Sequence, residues 1–342
     1  MAVHDPIAAA GVRLVEVDGS ATEPVAHARY DAWAGVFDKA QLHDLGRSDA
    51  WSPDNLRELG HATTHRTVSL AAVTEDDKVV GAAKITLPLR ENLHLSVLEL
   101  AVLPGWRRRG IGSALLAEAE EITRTHGRTT VLVETDWNVD DPAGDVHGEW
   151  AGRRGFAPAQ IMFMSVYDVR TAPVLEPFTP TGYAIETHLG VPPDADTTDR
   201  AYLARRMSTD APFGETDWRE EDWDEERVHE LDAKLTAIGR GRVHAFARDL
   251  ASGCLVGFTE VQVPAEAPHL AYQQDTLVLR EHRGHRLGLA LKVAAAALLR
   301  RAYPDVETVR TWNAVENEHM LAINEAMGYA PVAYTREWQK RL

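Results

Sequence analysis

A single cysteine, Cys254, occurs in 342 residues, so no disulfide framework can form within the chain. Such sparse usage fits a reducing compartment. Cys254 falls in an expected strand with no histidine partner evident in the sequence, and reads as a small core residue rather than a nucleophile. Basic charge is also scarce. Lys and Arg total 36 against 52 Asp and Glu, a formal net charge of −16. A nucleic-acid partner needs surplus Lys and Arg on one surface, so this balance argues against one, while it permits a cationic partner. No apolar run approaches the roughly 20 residues of a membrane span. Met1-Ala2-Val3-His4-Asp5-Pro6 lacks the basic start and apolar stretch of a leader. A cytoplasmic location without membrane contact is therefore expected. Walker A, G-x-S-x-G and cysteine-pair signatures are missing. His61 and His65 lack a third ligand and read as a solvated helix face rather than a metal site.

What is present is a strand that runs into an arginine- and glycine-rich turn and then a helix, from Leu100-Ala101-Val102-Leu103-Pro104 through Arg107-Arg108-Arg109-Gly110-Ile111-Gly112-Ser113 to Leu115-Leu116. The first turn of a helix carries unpaired N–H groups and the positive end of the dipole, and glycine lets backbone approach phosphate oxygens closely. The arginines add bidentate donors at the same point. Apolar Ile111, Leu115, Leu116, Ala119 and Ile122 follow at helical spacing.

Arg107-x-x-Gly110-x-Gly112 resembles the (Gln/Arg)-x-x-Gly-x-(Gly/Ala) acetyl-CoA motif of the GNAT superfamily of N-acetyltransferases. A second copy recurs at Leu277-Val278-Leu279 and Arg283-Gly284-His285-Arg286-Leu287-Gly288-Leu289-Ala290, with Arg283 in the place of Arg107 (283 − 107 = 176). Val80-Gly81 matches Val256-Gly257 and Pro88 matches Pro264 at the same offset. Trp137-Asn138 matches Trp312-Asn313 one residue short of it, and Gly155-Phe156 matches Gly328-Tyr329 three short. One whole domain is duplicated.

A strand near residues 11–17, a helix from Pro24 and a helix capped by Ser52 lead to an expected hairpin over 67–73 and 79–87. The motif strand and helix, a strand from Thr130 and a short helix ending near Arg154 complete the copy. Residues 171–180 hold Pro173, Pro177 and Pro180 and read as a linker. The expected domains are 1–170 and 181–342, and the 44% hydrophobic content gives each enough material for a core. This order resembles the GNAT fold, a mixed α/β sheet with a splay beside its central strand. The resemblance covers nearly the whole chain and is similar in layout to mycothiol synthase-like tandem members of the family.

The resemblance implies acetyl-CoA as cofactor. Its pyrophosphate would lie on Arg107 to Ser113 in one copy and on Arg283 to Ala290 in the other, and its arm would meet backbone at Val102, Leu103, Val278 and Leu279. Asn317 matches the family asparagine on the cofactor arm, with Asn313 nearby, whereas the first copy has Gly144 at that distance. Arg286 stands where the motif expects its first glycine. The tyrosine that often protonates the leaving thiolate is replaced by Ala151 and Asn324. Acyl transfer to an amine needs a base, and Glu99 and Asp275 share one register, with Glu260 on the neighbouring strand as a third acid. The acidic and aromatic run from Glu215 to Glu226, with Trp218 and Trp223, lies where the family often builds its acceptor cleft. The expectation is an N-acetyltransferase acting on the amine of a small molecule by direct transfer in a ternary complex. A CoA-binding protein without catalysis is the alternative.

Overall fold

The computed structural model describes residues 11–210, 212 and 214–342. Met1–Pro6, read above for a leader, lies outside them. The elements are β1 (Val12–Glu16), α1 (Pro24–Leu45), α2 (Pro53–Leu59), β2 (His65–Thr74), β3 (Val79–Pro88), β4 (Leu95–Val102), α3 (Ile111–Thr125), β5 (Thr130–Asn138), α4 (Val146–Gly152) and β6 (Ala157–Asp168). The series then repeats as β7 (Tyr183–Leu189), α5 (Thr197–Asp210), α6 (Glu225–Ala237), β8 (Gly241–Asp249), β9 (Leu255–Val263), β10 (Leu270–Val278), α7 (Leu287–Ala302), β11 (Thr308–Ala314), α8 (Glu318–Met327) and β12 (Ala330–Arg341).

Two compact units result, and neither is contiguous in sequence. The first takes residues 1–160, 215–218 and 336–342; the second takes 161–214 and 219–335. These limits differ from the expected 1–170 and 181–342, because each copy's last strand completes the other copy's sheet. The first unit's strands run β1-β2-β3-β4-β5 and then the end of β12. In the second the order is β7-β8-β9-β10-β11 and then β6, whose Met162–Asp168 pair antiparallel with β11. The proline-rich residues 171–180 carry neither helix nor strand and fall within the second unit.

Both faces of the first unit's sheet are covered, which explains the unbroken apolar runs in β2 and β3. Leu70, Ala72 and Ile85 pack with Ile111, Leu115 and Ala119 of α3, whereas Ala71, Val73 and Ala82 pack with Trp33 and Val36 of α1. In the second unit α7 plays the part of α3 through Leu287, Leu291 and Ala295.

Ser52 caps α2 by accepting from the Asn55 N–H, as its sequence position implies. Three expectations are corrected. Cys254 is exposed, because it sits in the turn before β9 rather than inside the strand. His61 and His65 share no helix face, because α2 ends at Leu59 and His65 opens β2. The Trp-Asn pairs are also not equivalent. Leu95 pairs with Thr130 and Leu270 with Thr308, so β10 starts one residue short of the 176 offset from β4 and β11 stands two residues beyond it from β5. That register aligns Thr135, not Asn138, with Asn313.

The exchanged strand generates a test. Trp338 is 7% exposed, donates from Nε1 to Thr135 Oγ1 at 2.8 Å and lies so near α4 that a Cβ on Gly148 would stand 2.4 Å from its ring. Trp338→Ala is expected to destabilise the protein by about 3–5 kcal/mol. An unchanged midpoint in denaturant unfolding would contradict this placement.

Candidate active site

In each unit the two central parallel strands pair briefly and then part. Leu95, Ser96 and Val97 of β4 face Thr130, Val131 and Leu132 of β5. Leu270, Ala271 and Tyr272 of β10 face Thr308, Val309 and Arg310 of β11. Beyond those residues no pairing joins the two strands, so Leu98–Val102 and Thr276–Val278 present backbone groups along an open seam.

Past the seam the chain makes the same turn twice. Two residues per turn take the left-handed conformation: Arg108 (φ 63°) and Gly110 (φ 85°) in the first unit, Gly284 (φ 85°) and Arg286 (φ 61°) in the second. The glycine and the arginine have exchanged places between copies. Arg286 therefore keeps the turn's geometry where glycine was expected, at a local cost of about 1–2 kcal/mol. Its guanidinium lies over the Phe178 ring, 4.9 Å from the centroid. Neither α3 nor α7 has a side-chain cap, in contrast to α2, α4, α6 and α8, which are capped by Ser52, Asp145, Asp224 and Asn317. Their first-turn N–H groups suit an anion.

The motif arginines brace these turns from behind. Arg107 donates from Nε to the Val102 carbonyl at 2.9 Å and forks onto Asp44 at 2.8 and 2.7 Å. Arg283 repeats this with the Val278 carbonyl at 3.1 Å and Asp210 at 3.1 Å. Their side chains are thus engaged with protein, and backbone N–H is what they offer a phosphate. Arg108 and Arg109 are exposed. Sequence reading missed Arg154, which donates to Ser113 Oγ at 2.6 Å and brings a further guanidinium to the start of α3. Ile111, Leu279, Leu287 and Ala290 are buried core residues, while Gly112, Gly288 and Leu289 are half-buried and His285 is exposed. Val102, Leu103 and Val278 are half-buried along the seam.

The acids diverge between copies. Glu99 stands opposite Lys84 on β3, with Nζ 2.5 Å from its carboxylate. At the equivalent place β10 bulges: Gln273 pairs with Val261 and Thr276 with Thr259, so Gln274 and Asp275 together face Glu260. The buried Gln273 amide closes the bulge by donating to Thr259 Oγ1 and the Glu260 carbonyl. An acid has replaced the lysine. Burial first, then the charges of Glu260 and Glu221, push the Asp275 carboxyl up to about 6. Asp275 nonetheless keeps exposed surface, so water and an acceptor reach it. Glu260 is gripped at both oxygens by Arg242, at 2.9 and 3.1 Å. Against the upward effect of burial, His244 and this fork hold it below the usual carboxylate range. Glu260 is therefore a fixed negative charge, poorly suited to accept a proton.

Sequence reading also missed Glu134 on β5, whose alternation with Asp136 looks like an ordinary strand face. Glu134 keeps exposed surface, yet the protein packed around its carboxyl, then the charges of Asp136, Glu337 and Glu99, push it up to about 8. At the helix after the seam, Asn317 caps α8 by accepting from the Met320 N–H at 3.2 Å. Asp145 does the same for α4 at Gly148, so it, and not Gly144, occupies the asparagine's place. Asn313 is half-buried and accepts from Asn324 at 2.6 Å. A pocket of ≈ 670 Å³ in the first unit, lined by Trp137, Asp145, Gly148, Arg336 and Trp338 among others, adjoins α4. The acidic and aromatic run is divided, with 215–218 in the first unit. Much of its charge is paired: Glu221 with Arg227, Asp222 with Arg205 and Asp217 with His94.

Because the native state binds the Glu134 proton more tightly than the unfolded chain, whose carboxyl titrates near 4.5, stability falls as pH rises from about 4.5 through about 8. Glu134→Gln is expected to raise the melting temperature at pH 8–9 and to change it little at pH 4. Equal shifts at both pH values in scanning calorimetry would contradict the raised carboxyl.

The sequence profile of the acetyltransferase (GNAT) family matches residues 32–151. A search of curated proteins gives no match. Among solved structures, a tandem GNAT protein from the clavulanic acid biosynthesis pathway is similar at TM-score 0.79 and 26% identity, over 96% of this chain and 98% of that one. A GCN5-related N-acetyltransferase from Sphaerobacter thermophilus shares the fold at TM-score 0.68 and 17% identity, over 96% and 95%. No helix among the described residues is long and apolar enough to cross a membrane. The duplicated seam and turn, the profile match and the whole-length likeness agree: residues 32–151 carry a GNAT acetyltransferase domain, and the chain as a whole has the fold of a tandem GNAT protein.

Proposed function

We propose that the protein transfers an acetyl group from acetyl-CoA to the amine of a small molecule, directly within a ternary complex in the cytoplasm, and that the second unit performs the chemistry. The observation that carries this is the carboxylate pair at the β10 bulge. Burial, and then the charge of Glu260 held ionised by Arg242, keep Asp275 basic enough to take a proton near neutral pH. An ammonium acceptor must lose that proton before its nitrogen bonds to the thioester carbonyl and the C–S bond breaks. In the first unit the corresponding acid is neutralised by Lys84. The residues present suit acyl-CoA: uncapped helix starts and left-handed turns for the pyrophosphate, and an open strand edge for the arm. When bound, that molecule supplies the activated thioester. The tandem relative's clavulanic acid pathway supports a secondary-metabolite amine as the acceptor class.

Asp275→Asn is expected to lower kcat by about 10²–10⁴-fold, whereas Glu99→Gln stays near wild type. In the wild-type protein kcat/KM should fall below about pH 6 as Asp275 protonates. The reverse ranking of the two variants would make the first unit the enzyme. CoA binding without acetylated product from an amine library would favour the non-catalytic reading.

Gly110→Glu puts a side chain at φ 85° and a negative charge at the start of α3. Calorimetry should then show the first unit's CoA site lost. Unchanged stoichiometry and affinity would remove the phosphate assignment for that unit.

A further inference from the structure

A lysine lies in the core of the second unit with no acid paired to it among the described residues. Lys292 on α7 is 1% exposed, and its Nζ donates to Asn324 Oδ1 on α8 at 2.5 Å while facing the Tyr329 ring at 4.9 Å. Asn324, 3% exposed, donates in turn from Nδ2 to Asn313 Oδ1 at 2.6 Å. In the first unit the equivalent positions are Leu116, Ala151 and Phe156, all part of an apolar cluster. The second unit has thus put a polar chain where hydrocarbon fills the same fold, although burying a charge-bearing group without a counter-ion is unfavourable.

The chemistry of the three groups gives the chain a direction. Lys292 Nζ donates to Oδ1 of Asn324, so Asn324 turns its oxygen toward Lys292. Its N–H2 then points to Asn313, which must answer with its own oxygen, because a buried amide cannot face a like group. Asn313 is left with its N–H2 as the free end. It lies three residues beyond Arg310, where β11 last pairs with β10, on the parted stretch of strand.

We propose that Lys292 and Asn324 are positioning residues that fix the Asn313 carboxamide as a hydrogen-bond donor at the seam between β10 and β11, serving a carbonyl or sulfur acceptor on the arm of an acyl thioester. This rests on the acyl-CoA reading above and assigns the polar function of the missing tyrosine's place to a relay of two amides. Lys292 touches no ligand. Burial alone pushes its ammonium down to about 7.

Asn324→Asp tests the direction. The carboxylate pairs with Lys292 and accepts from Asn313, so Asn313 must reverse and present oxygen to the seam. The test uses full-length protein carrying Gly110→Glu, with calorimetric titration of acetyl-CoA and of adenosine 3′,5′-bisphosphate, which lacks the arm. Asn324→Asp is expected to weaken acetyl-CoA about tenfold, to leave the bisphosphate unchanged, and to keep the melting temperature. Should that variant fail to fold, Lys292→Met, which removes the donor with little change of shape, is expected to show the same selective loss. An equal loss for both ligands, or no loss for either, overturns the relay while leaving the acyl-CoA site standing. If the Gly110→Glu protein binds neither ligand, the second unit holds no CoA and both readings fall.

Discussion

Two parallel strands that pair for three residues and then separate set the terms for everything else in each unit. Backbone N–H and C=O groups tolerate burial only when paired, so a parted seam is stable only where water or a ligand can reach it. The turn that follows must hold the next helix's start near the seam's end. It does so with two left-handed residues and an arginine that clamps the last strand carbonyl to an acid, Asp44 or Asp210. The anion-ready helix end and the open edge are two results of one backbone path.

The duplicated frame makes the differences between copies informative. Lys84 opposite Glu99 gives a neutral pair on a regular ladder. Glu260 opposite the bulged Asp275 gives two acids, and the like charge, added to lost hydration, raises the second. Arg242 also reaches Asp232, which Arg200 grips at 2.8 and 2.9 Å, so the extra acid is balanced by a buried ionic cluster that fixes where the negative charge resides. An acid in the lysine's place and an extra residue in β10 accompany the raised proton affinity of Asp275, on the same strand order.

The fold class, the duplication, the hairpins and the turn–helix motif were legible because they rest on local periodicity and on glycine and arginine at fixed spacing. The exchange of terminal strands was not, since β6 and β12 carry the same alternation whichever sheet they join. The side-chain direction of Arg107 was hidden for a similar reason: its acid partner lies 63 residues away. Glu134 and Lys292 draw their altered proton affinity from surroundings that only the folded chain assembles. The shared register of Glu99 and Asp275 was visible in the sequence, but the bulge that distinguishes them depends on pairing registers rather than on residue type.

The traded strands bear on synthesis. Arg336–Leu342 belong to the first unit, where Lys340 reaches Glu120 across 220 residues of sequence. The domain whose chain leaves the ribosome first thus lacks its sixth strand until Arg336–Leu342 emerge. Its seam edge stays bordered by an unpaired β5 in the meantime, a template for wrong pairing. The second domain receives its borrowed strand before the rest of its own sequence is made. For this chain, the unit translated later is the one able to finish its sheet without waiting for anything downstream of Thr335.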